Sequence, residues 1–204
     1  MKKQTNFSPF PTLPLPPSLN NGGNQPGFSI RSATIDDAPA IARVNVDTWR
    51  TAYRNIIPAA FLANLSYEAR ANNWREIFLD AKNTGVFACV AENESGKIIG
   101  FAAGCPERTG KYDYRGELSA IYILEAYQRQ GIGRKLVREV ATKLAESNLN
   151  SMLLWVLEDN SACKFYEALG GEIVGDRETV RAGILLKELA YGWRELSGVL
   201  SFEL

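Results

Sequence analysis

The sequence predicts an α/β protein built on a mixed sheet of about seven strands. Three observations carry that expectation. The apolar run Leu118 to Leu124 ends in Gln128-Arg129-Gln130-Gly131-Ile132-Gly133-Arg134, a glycine-containing turn that opens an amphipathic helix. Ser151 to Leu157 is nearly continuous apolar sequence, as expected of a strand covered on both faces. Val86 to Glu92 and Lys97 to Cys105 read as strands joined by the turn Glu94-Ser95-Gly96-Lys97, a hairpin.

The other elements follow in chain order. Residues 1 to 27 are rich in Pro, Asn, Ser and Gly and read as a flexible leader, with the domain running from 28 to 204. Phe28 to Ala33 is a first strand. Thr34 caps the next helix, with Asp36 and Asp37 placed to meet its dipole. Ile41, Val44, Val46, Trp49 and Tyr53 give that helix an uneven apolar pattern. A second helix begins with Pro58 at its first position, and a further one carries Trp74, Ile77 and Phe78. Arg108 to Arg115 is a polar loop, and Glu117 to Leu124 the strand after it. In the helix behind the glycine turn, Ile132, Leu136, Val137, Val140 and Leu144 recur three or four apart, opposite Arg138, Glu139, Lys143 and Glu146. A short helix from Ser161 to Leu169 stops at Gly170-Gly171. Two last strands fall at Glu172 to Gly175 and Gly183 to Trp193.

Composition narrows the function. The 204 residues carry 23 basic and 23 acidic side chains, with no long basic run, which argues against nucleic acid as a partner. No apolar run approaches a membrane span, and prolines interrupt the segment after Lys2 and Lys3 that a signal peptide needs. Three widely spaced cysteines, Cys89, Cys105 and Cys163, fit neither a disulfide framework nor a metal knuckle, so a reducing cytoplasm and no metal are expected. Histidine is absent, which excludes Ser-His-Asp, Cys-His and His-zinc chemistry. Proton transfer must use Asp, Glu, Tyr, Cys, Lys, water or the substrate.

The glycine turn makes a socket of unpaired N–H groups at a helix N-terminus, suited to phosphate, with Arg129 and Arg134 at its rim. It lacks the Gly-Lys-Ser/Thr ending of a Walker loop and the third glycine of a dinucleotide fingerprint.

Gln128-Arg129-Gln130-Gly131-Ile132-Gly133 matches the central signature of the GNAT superfamily of N-acetyltransferases: Gln or Arg, two residues, Gly, one residue, then Gly or Ala. Ile121-Tyr122-Ile123-Leu124 resembles that family's fourth strand, and Asn160-Ser161-Ala162-Cys163-Lys164-Phe165-Tyr166-Glu167-Ala168-Leu169-Gly170 its second recurring segment. The resemblance spans about residues 28 to 195. It implies a mostly antiparallel sheet flanked by helices, splayed between strands four and five, and acetyl-coenzyme A as donor. The pyrophosphate would rest on backbone amides from Arg129 to Arg134, including those of Gln130, Gly131, Ile132 and Gly133. The pantetheine arm would pair with backbone at Ile121 and Ile123, with Asn160 bonding to it. The acceptor would be the amine of a small molecule or peptide. A homodimer is an expectation of the family. Gly170-Gly171 departs from the frequent Gly-Phe ending, and Tyr191-Gly192-Trp193 resembles a subgroup of small bacterial members.

Two side chains stand out for catalysis. Glu117 lies eleven residues before Gln128, a spacing resembling that of the base glutamate in histone-acetylating members. An amine of pKa about 10 must lose a proton before it attacks a thioester. The two-residue strand period puts Glu117 on the face of Ile121. It reads either as base or water relay, or as a solvent-facing or substrate-binding carboxylate. Tyr166 matches the tyrosine that in many relatives protonates the departing thiolate, and reads otherwise as a structural aromatic. Trp49 and Tyr53 stand four apart on the first helix, which in relatives borders the acceptor groove, and Arg50 and Arg54 form another such pair that could meet an acidic substrate group. Core or surface positions explain these pairs equally well. A different acyl donor or acceptor, or a weakly catalytic acyl-coenzyme A-binding regulator, shares the same socket.

Overall fold

The computed structural model describes residues 27–201, so the expected leader lies, Gly27 apart, outside the described residues. After strand β1 (Phe28–Ser32), a single 3-10 turn at Ile35–Asp37 leads into helix α1 (Ala38–Ala52). The Asp37 carboxylate accepts from the Thr34 N–H at 2.8 Å and from both arms of Arg31 at 2.7 and 2.8 Å. Arg31 holds the Asp37 carboxyl below its ordinary value, against the opposing effect of burial. Helices α2 (Ala59–Ala63), α3 (Tyr67–Leu79) and α4 (Ala81–Thr84) follow. Pro58 stands just outside α2 in extended backbone (φ −53°, ψ 133°) rather than at its first helical position.

The hairpin of β2 (Phe87–Asn93) and β3 (Ile98–Pro106) precedes β4 (Gly116–Ile123), α5 (Ile132–Glu146) and β5 (Met152–Leu157). Helix α6 (Cys163–Ala168), the hairpin β6 (Glu172–Arg181) with β7 (Ile184–Trp193), and α7 (Ser197–Leu200) complete the described residues. The seven strands form one sheet in the order β1-β2-β3-β4-β5-β7-β6. All pairs are antiparallel except β4 with β5. One face packs on α5, whose Leu136, Val137, Val140 and Leu144 are buried against Cys89, Leu154 and Val156. The other packs on α1 and α3 through Ile41, Val44, Trp49 and Trp74 against Phe101, Ala120 and Tyr122. This mixed, mostly antiparallel seven-stranded sheet between helices is the expected architecture.

Two local differences matter. Strand β6 runs ten residues, six beyond Gly175, because Asp176 to Arg181 pairs with β7 as far as a tight turn at Ala182-Gly183 (φ 52° and 78°). Its apolar pattern is weak because it is an edge strand with one exposed face. The second difference is a bulge in β4. Ala103 pairs with Ala120 and Gly104 with Leu118, which leaves Ser119 as the extra residue. A bulge breaks the two-residue alternation. Leu118 accordingly shares the α5 face with Ile121 and Ile123, while Ala120 and Tyr122 face α1. Glu117 pairs with Leu153, whose side chain belongs to a cluster with Trp155 and Ala190 opposite α5. Glu117 therefore does not share a face with Ile121; the extra residue turns it to the opposite side.

Candidate active site

Strands β4 and β5 pair only at Gly116–Met152 and Glu117–Leu153. Beyond that, β4 stays with β3 as far as Ile123 while β5 follows β7 along its whole length, and the two separate. The Leu124 N–H donates to the Ile99 carbonyl at 2.9 Å. Antiparallel pairing alternates, so the N–H and C=O groups of Ile121 and Ile123 point away from β3 and into the gap. Gln128 Nε2 donates to the Ile123 carbonyl at 3.0 Å. A narrow cleft of about 40 Å³, partly open to solvent, is lined by Ile121, Ile123, Gln128, Gly133, Ala162, Phe165 and Tyr166.

The glycine turn closes one end of this cleft. Arg129 and Gly131 both hold left-handed backbone (φ 64° and 81°), the second at the N-cap of α5. Nothing lies within 4 Å of a Cβ placed on Gly131, so its glycine serves the backbone angle. Gly133 serves a close approach: a Cβ there would meet Phe165 Cζ at 3.2 Å and Ile123 Cδ1 at 3.4 Å. The helical ladder begins with Lys135 N–H donating to the Gly131 carbonyl, which leaves the Ile132 and Gly133 amides directed out of the helix end. Gln130 Nε2 bonds the Ala126 carbonyl at 3.1 Å and steadies the turn. Arg129 and Arg134 are exposed beside it. The arrangement suits an anion at the turn and an amide-bearing chain along β4.

At the other end stands Tyr166, 1% exposed, against Phe165 (ring centroids 5.3 Å apart) and Tyr191 (5.9 Å). Asn160 is buried; its Oδ1 accepts from the Ala162 N–H at 2.9 Å and its Nδ2 reaches the Tyr53 hydroxyl at 3.4 Å. Trp49 and Tyr53 lie in the core facing α1, 4% and 0% exposed, and Trp49 Nε1 donates to the Tyr122 hydroxyl at 3.2 Å. Burial pushes the Tyr53 hydroxyl well above its ordinary pKa, with Tyr122 and Tyr166 adding to the shift and Asn160 and Arg181 opposing it. Tyr53 thus connects α1 to Asn160.

Glu117 sits on the far side of the sheet from the cleft lining. Its side chain is 2% exposed, and both oxygens are held by Arg108, from Nε at 3.0 Å and Nη2 at 2.6 Å. Burial works against the Arg108 charge, but Glu117 outweighs it and the guanidinium pKa rises. The 108–115 loop thus contributes the partner of the candidate base, a pairing that only the fold reveals. Other residues that sequence reasoning passed over are Glu188, fully buried between Arg177 (2.7 Å) and Arg181 (3.1 Å), and Trp155, beneath Arg177 at 3.9 Å. Arg177 and Arg181 stand four apart on a strand, but their convergence on Glu188 requires the β6–β7 register. Burial drives the Cys89 and Cys105 thiols up to about 12, so neither supplies a thiolate nucleophile.

A gap between two parallel strands, lined by β4 backbone and ended by a phosphate-type helix start, defines an acyltransferase of the coenzyme A-using kind. The sequence profile of the acetyltransferase (GNAT) family matches residues 48–171. The chain is 41% identical over 171 residues to the uncharacterized N-acetyltransferase YuaI of Bacillus subtilis (strain 168), covering 84% of this chain and 95% of the relative. The N-acetyltransferase of Staphylococcus aureus Mu50 superposes with a TM-score of 0.66 at 19% identity, covering 84% of this chain and 99% of that one. The PaiA N-acetyltransferase of Thermoplasma acidophilum, solved with coenzyme A, gives 0.65 at 17% identity, covering 81% and 98%. The chain belongs to the GNAT acetyltransferase family, and it is an acetyl-coenzyme A-dependent acetyltransferase.

Proposed function

We propose that the protein transfers an acetyl group from acetyl-coenzyme A to a primary amine by direct attack, with the donor entering from the α5 face and the acceptor from the α1 face. The carrying observation is the gap between β4 and β5, with Tyr166 on its lining and Glu117 on the opposite side of the sheet. The donor fits the residues present: the Ile132 and Gly133 amides suit its pyrophosphate, with Arg129, Gln130, Gly131 and Arg134 completing that turn. The backbone of Ile121 and Ile123 faces the gap and suits its amide-bearing arm, with the Ile123 carbonyl already accepting from Gln128 Nε2 and keeping its second lone pair. Asn160 joins the arm by exchanging its 3.4 Å contact with Tyr53 for a bond to the ligand. When bound, acetyl-coenzyme A supplies the activated acyl group.

Glu117 takes a proton from the acceptor ammonium. Arg108 occupies one direction at each carboxylate oxygen, and each oxygen keeps a further lone pair for a water that relays the proton. Tyr166 donates its hydroxyl to the departing sulfur. A thiol has a pKa of about 8.5 and a phenol about 10, so a hydrogen bond does this work without full proton transfer. Trp49 and Tyr53 shape the acceptor side from within the core. The test is intact-protein mass after incubation with acetyl-coenzyme A alone. Direct attack leaves the protein unmodified until an amine is added; an acetylated protein that passes its group to the amine overturns it.

A further inference from the structure

A second cavity lies away from the cleft. It measures about 260 Å³, against about 40 Å³ for the cleft, and is lined by Asp113, Arg115, Asn150, Ser151 and Arg194. Strand register assembles it. Gly116 pairs with Met152, and Met152 with Trp193. One residue further out, Arg115, Ser151 and Arg194 therefore stand in a row across the ends of β4, β5 and β7. Cross-strand neighbours share a face, and this row shares that of Glu117 and Leu153, two residues along, opposite α5. The cleft residues Ile121, Ile123 and Tyr166 belong to the α5 face. Neighbouring strands are about 4.8 Å apart, which sets the two arginine backbones roughly 10 Å apart with the serine between them.

The surroundings hold the row in place. The Arg115 N–H donates to Ser151 Oγ at 2.9 Å, and the Gly116 N–H to the Ser151 carbonyl at 2.8 Å. Tyr114 is 8% exposed and fills the space over Gly192, where a Cβ would overlap its ring. The Arg194 guanidinium stands 5.8 Å from the centre of that ring.

The polar groups of the lining are unspent. Among the described residues, the Arg115 and Arg194 guanidiniums, the Asp113 carboxylate and the Asn150 amide make no hydrogen bond or ion pair. The Ser151 hydroxyl accepts from Arg115 and keeps its proton to donate. Two cations and one anion leave the lining a single positive charge, which one carboxylate balances. Guanidinium forks match a carboxylate in shape as well as charge. Asp113, Asn150 and Ser151 offer the acceptors and donors that hydroxyl groups satisfy.

We infer that this cavity is a second ligand site, for a small carboxylic acid that bears hydroxyl groups. The carboxylate lies between Arg115 and Arg194, and the hydroxyls meet Asp113, Asn150 and Ser151. The site is separate from the transfer cleft, and its ligand needs no amine.

The experiment uses calorimetry and thermal melts on the enzyme saturated with coenzyme A, so that the glycine turn is already filled. Gluconate is the probe. Sorbitol keeps the hydroxyls without the carboxylate, hexanoate keeps the carboxylate without the hydroxyls, and inorganic phosphate supplies a different anion. Gluconate is expected to bind once per chain and to raise the melting temperature as its concentration rises. Sorbitol, hexanoate and phosphate bind at least about tenfold more weakly. Arg115→Gln and Arg194→Gln, both at exposed positions, each weaken gluconate by about tenfold or more and leave coenzyme A affinity unchanged. Absence of gluconate binding to the wild type overturns the site. Hexanoate, sorbitol or phosphate bound as tightly as gluconate overturns the ligand class. Gluconate affinity unchanged in both variants overturns the placement. Should either variant lose coenzyme A binding as well, the other variant and the wild-type comparison of the four probes decide.

Discussion

Replacing Glu117 by Gln keeps the shape of the side chain and removes its charge. The amide retains one oxygen for Arg108 and turns an NH₂ group toward a guanidinium that can only donate, so one of the bonds at 2.6 and 3.0 Å is lost. Breaking a buried ion pair costs about 3–5 kcal/mol. Arg108 is one-third exposed and recovers part of that from water, so the expected loss of stability is about 1–3 kcal/mol. The catalytic loss is separate. A positioned general base contributes about 10²–10⁴-fold, and kcat/KM is expected to fall by that range near neutral pH. The loss narrows as pH approaches the amine's own pKa of about 10, because solvent then supplies free amine. Urea unfolding gives the first quantity, and initial rates across pH, referred to the folded fraction, give the second. A variant destabilised as expected but within about threefold of wild-type kcat/KM would refute the role of Glu117 in proton transfer and leave it a structural partner of Arg108.

Three further outcomes follow from particular contacts. Tyr166→Phe removes only the hydroxyl of a buried ring, so kcat is expected to fall by about tenfold with little change in the acetyl-coenzyme A dissociation constant; calorimetry beside steady-state kinetics separates the two. Gly131→Ala places a Cβ on backbone at φ 81°, at a cost of about 1–2 kcal/mol; the strain is read in a thermal melt if the turn keeps its shape, or as weakened acetyl-coenzyme A binding if it does not. Asp37 has a carboxyl held below its ordinary 3.8 in the folded protein, so its contribution is present above that value and disappears as pH falls through the lower folded value. Asp37→Asn is accordingly expected to cost about 1 kcal/mol near neutral pH, given that Arg31 is 39% exposed, with a gap to wild type that closes on acidification; urea midpoints over an acid pH series check this.

Much of the fold is written in local pattern. The α5 stripe of Ile132, Leu136, Val137, Val140 and Leu144 is buried throughout, and the Ser95–Gly96 turn joins β2 and β3 where glycine punctuation places it. The glycine turn is equally legible, since Gly131 and Gly133 answer to backbone angle and close packing. What escaped local reading depends on long-range register. Leu118 to Leu124 is apolar on both faces, so hydrophobic period cannot reveal the bulge at Ser119 that turns Glu117 across the sheet. Arg177, Arg181 and Glu188 look like surface charges until the β6–β7 hairpin brings them together. Arg108 finds Glu117 only through the closure of its loop, with the Glu107 N–H on the Arg115 carbonyl at 2.9 Å. Trp49 and Tyr53 keep the helical spacing that marked them, but whether that stripe faces core or groove is decided by Tyr122 on a strand far along the chain.

Thiol release from acetyl-coenzyme A, followed across a panel of amines with mass detection of each product, tests the central claim most directly. Acetyl transfer from one face of the sheet to an amine on the other predicts thiol and N-acetylated product in equal amounts, with both falling together in Glu117→Gln. Thiol released without an acetylated amine, or no release from a preparation shown to bind acetyl-coenzyme A, would contradict it.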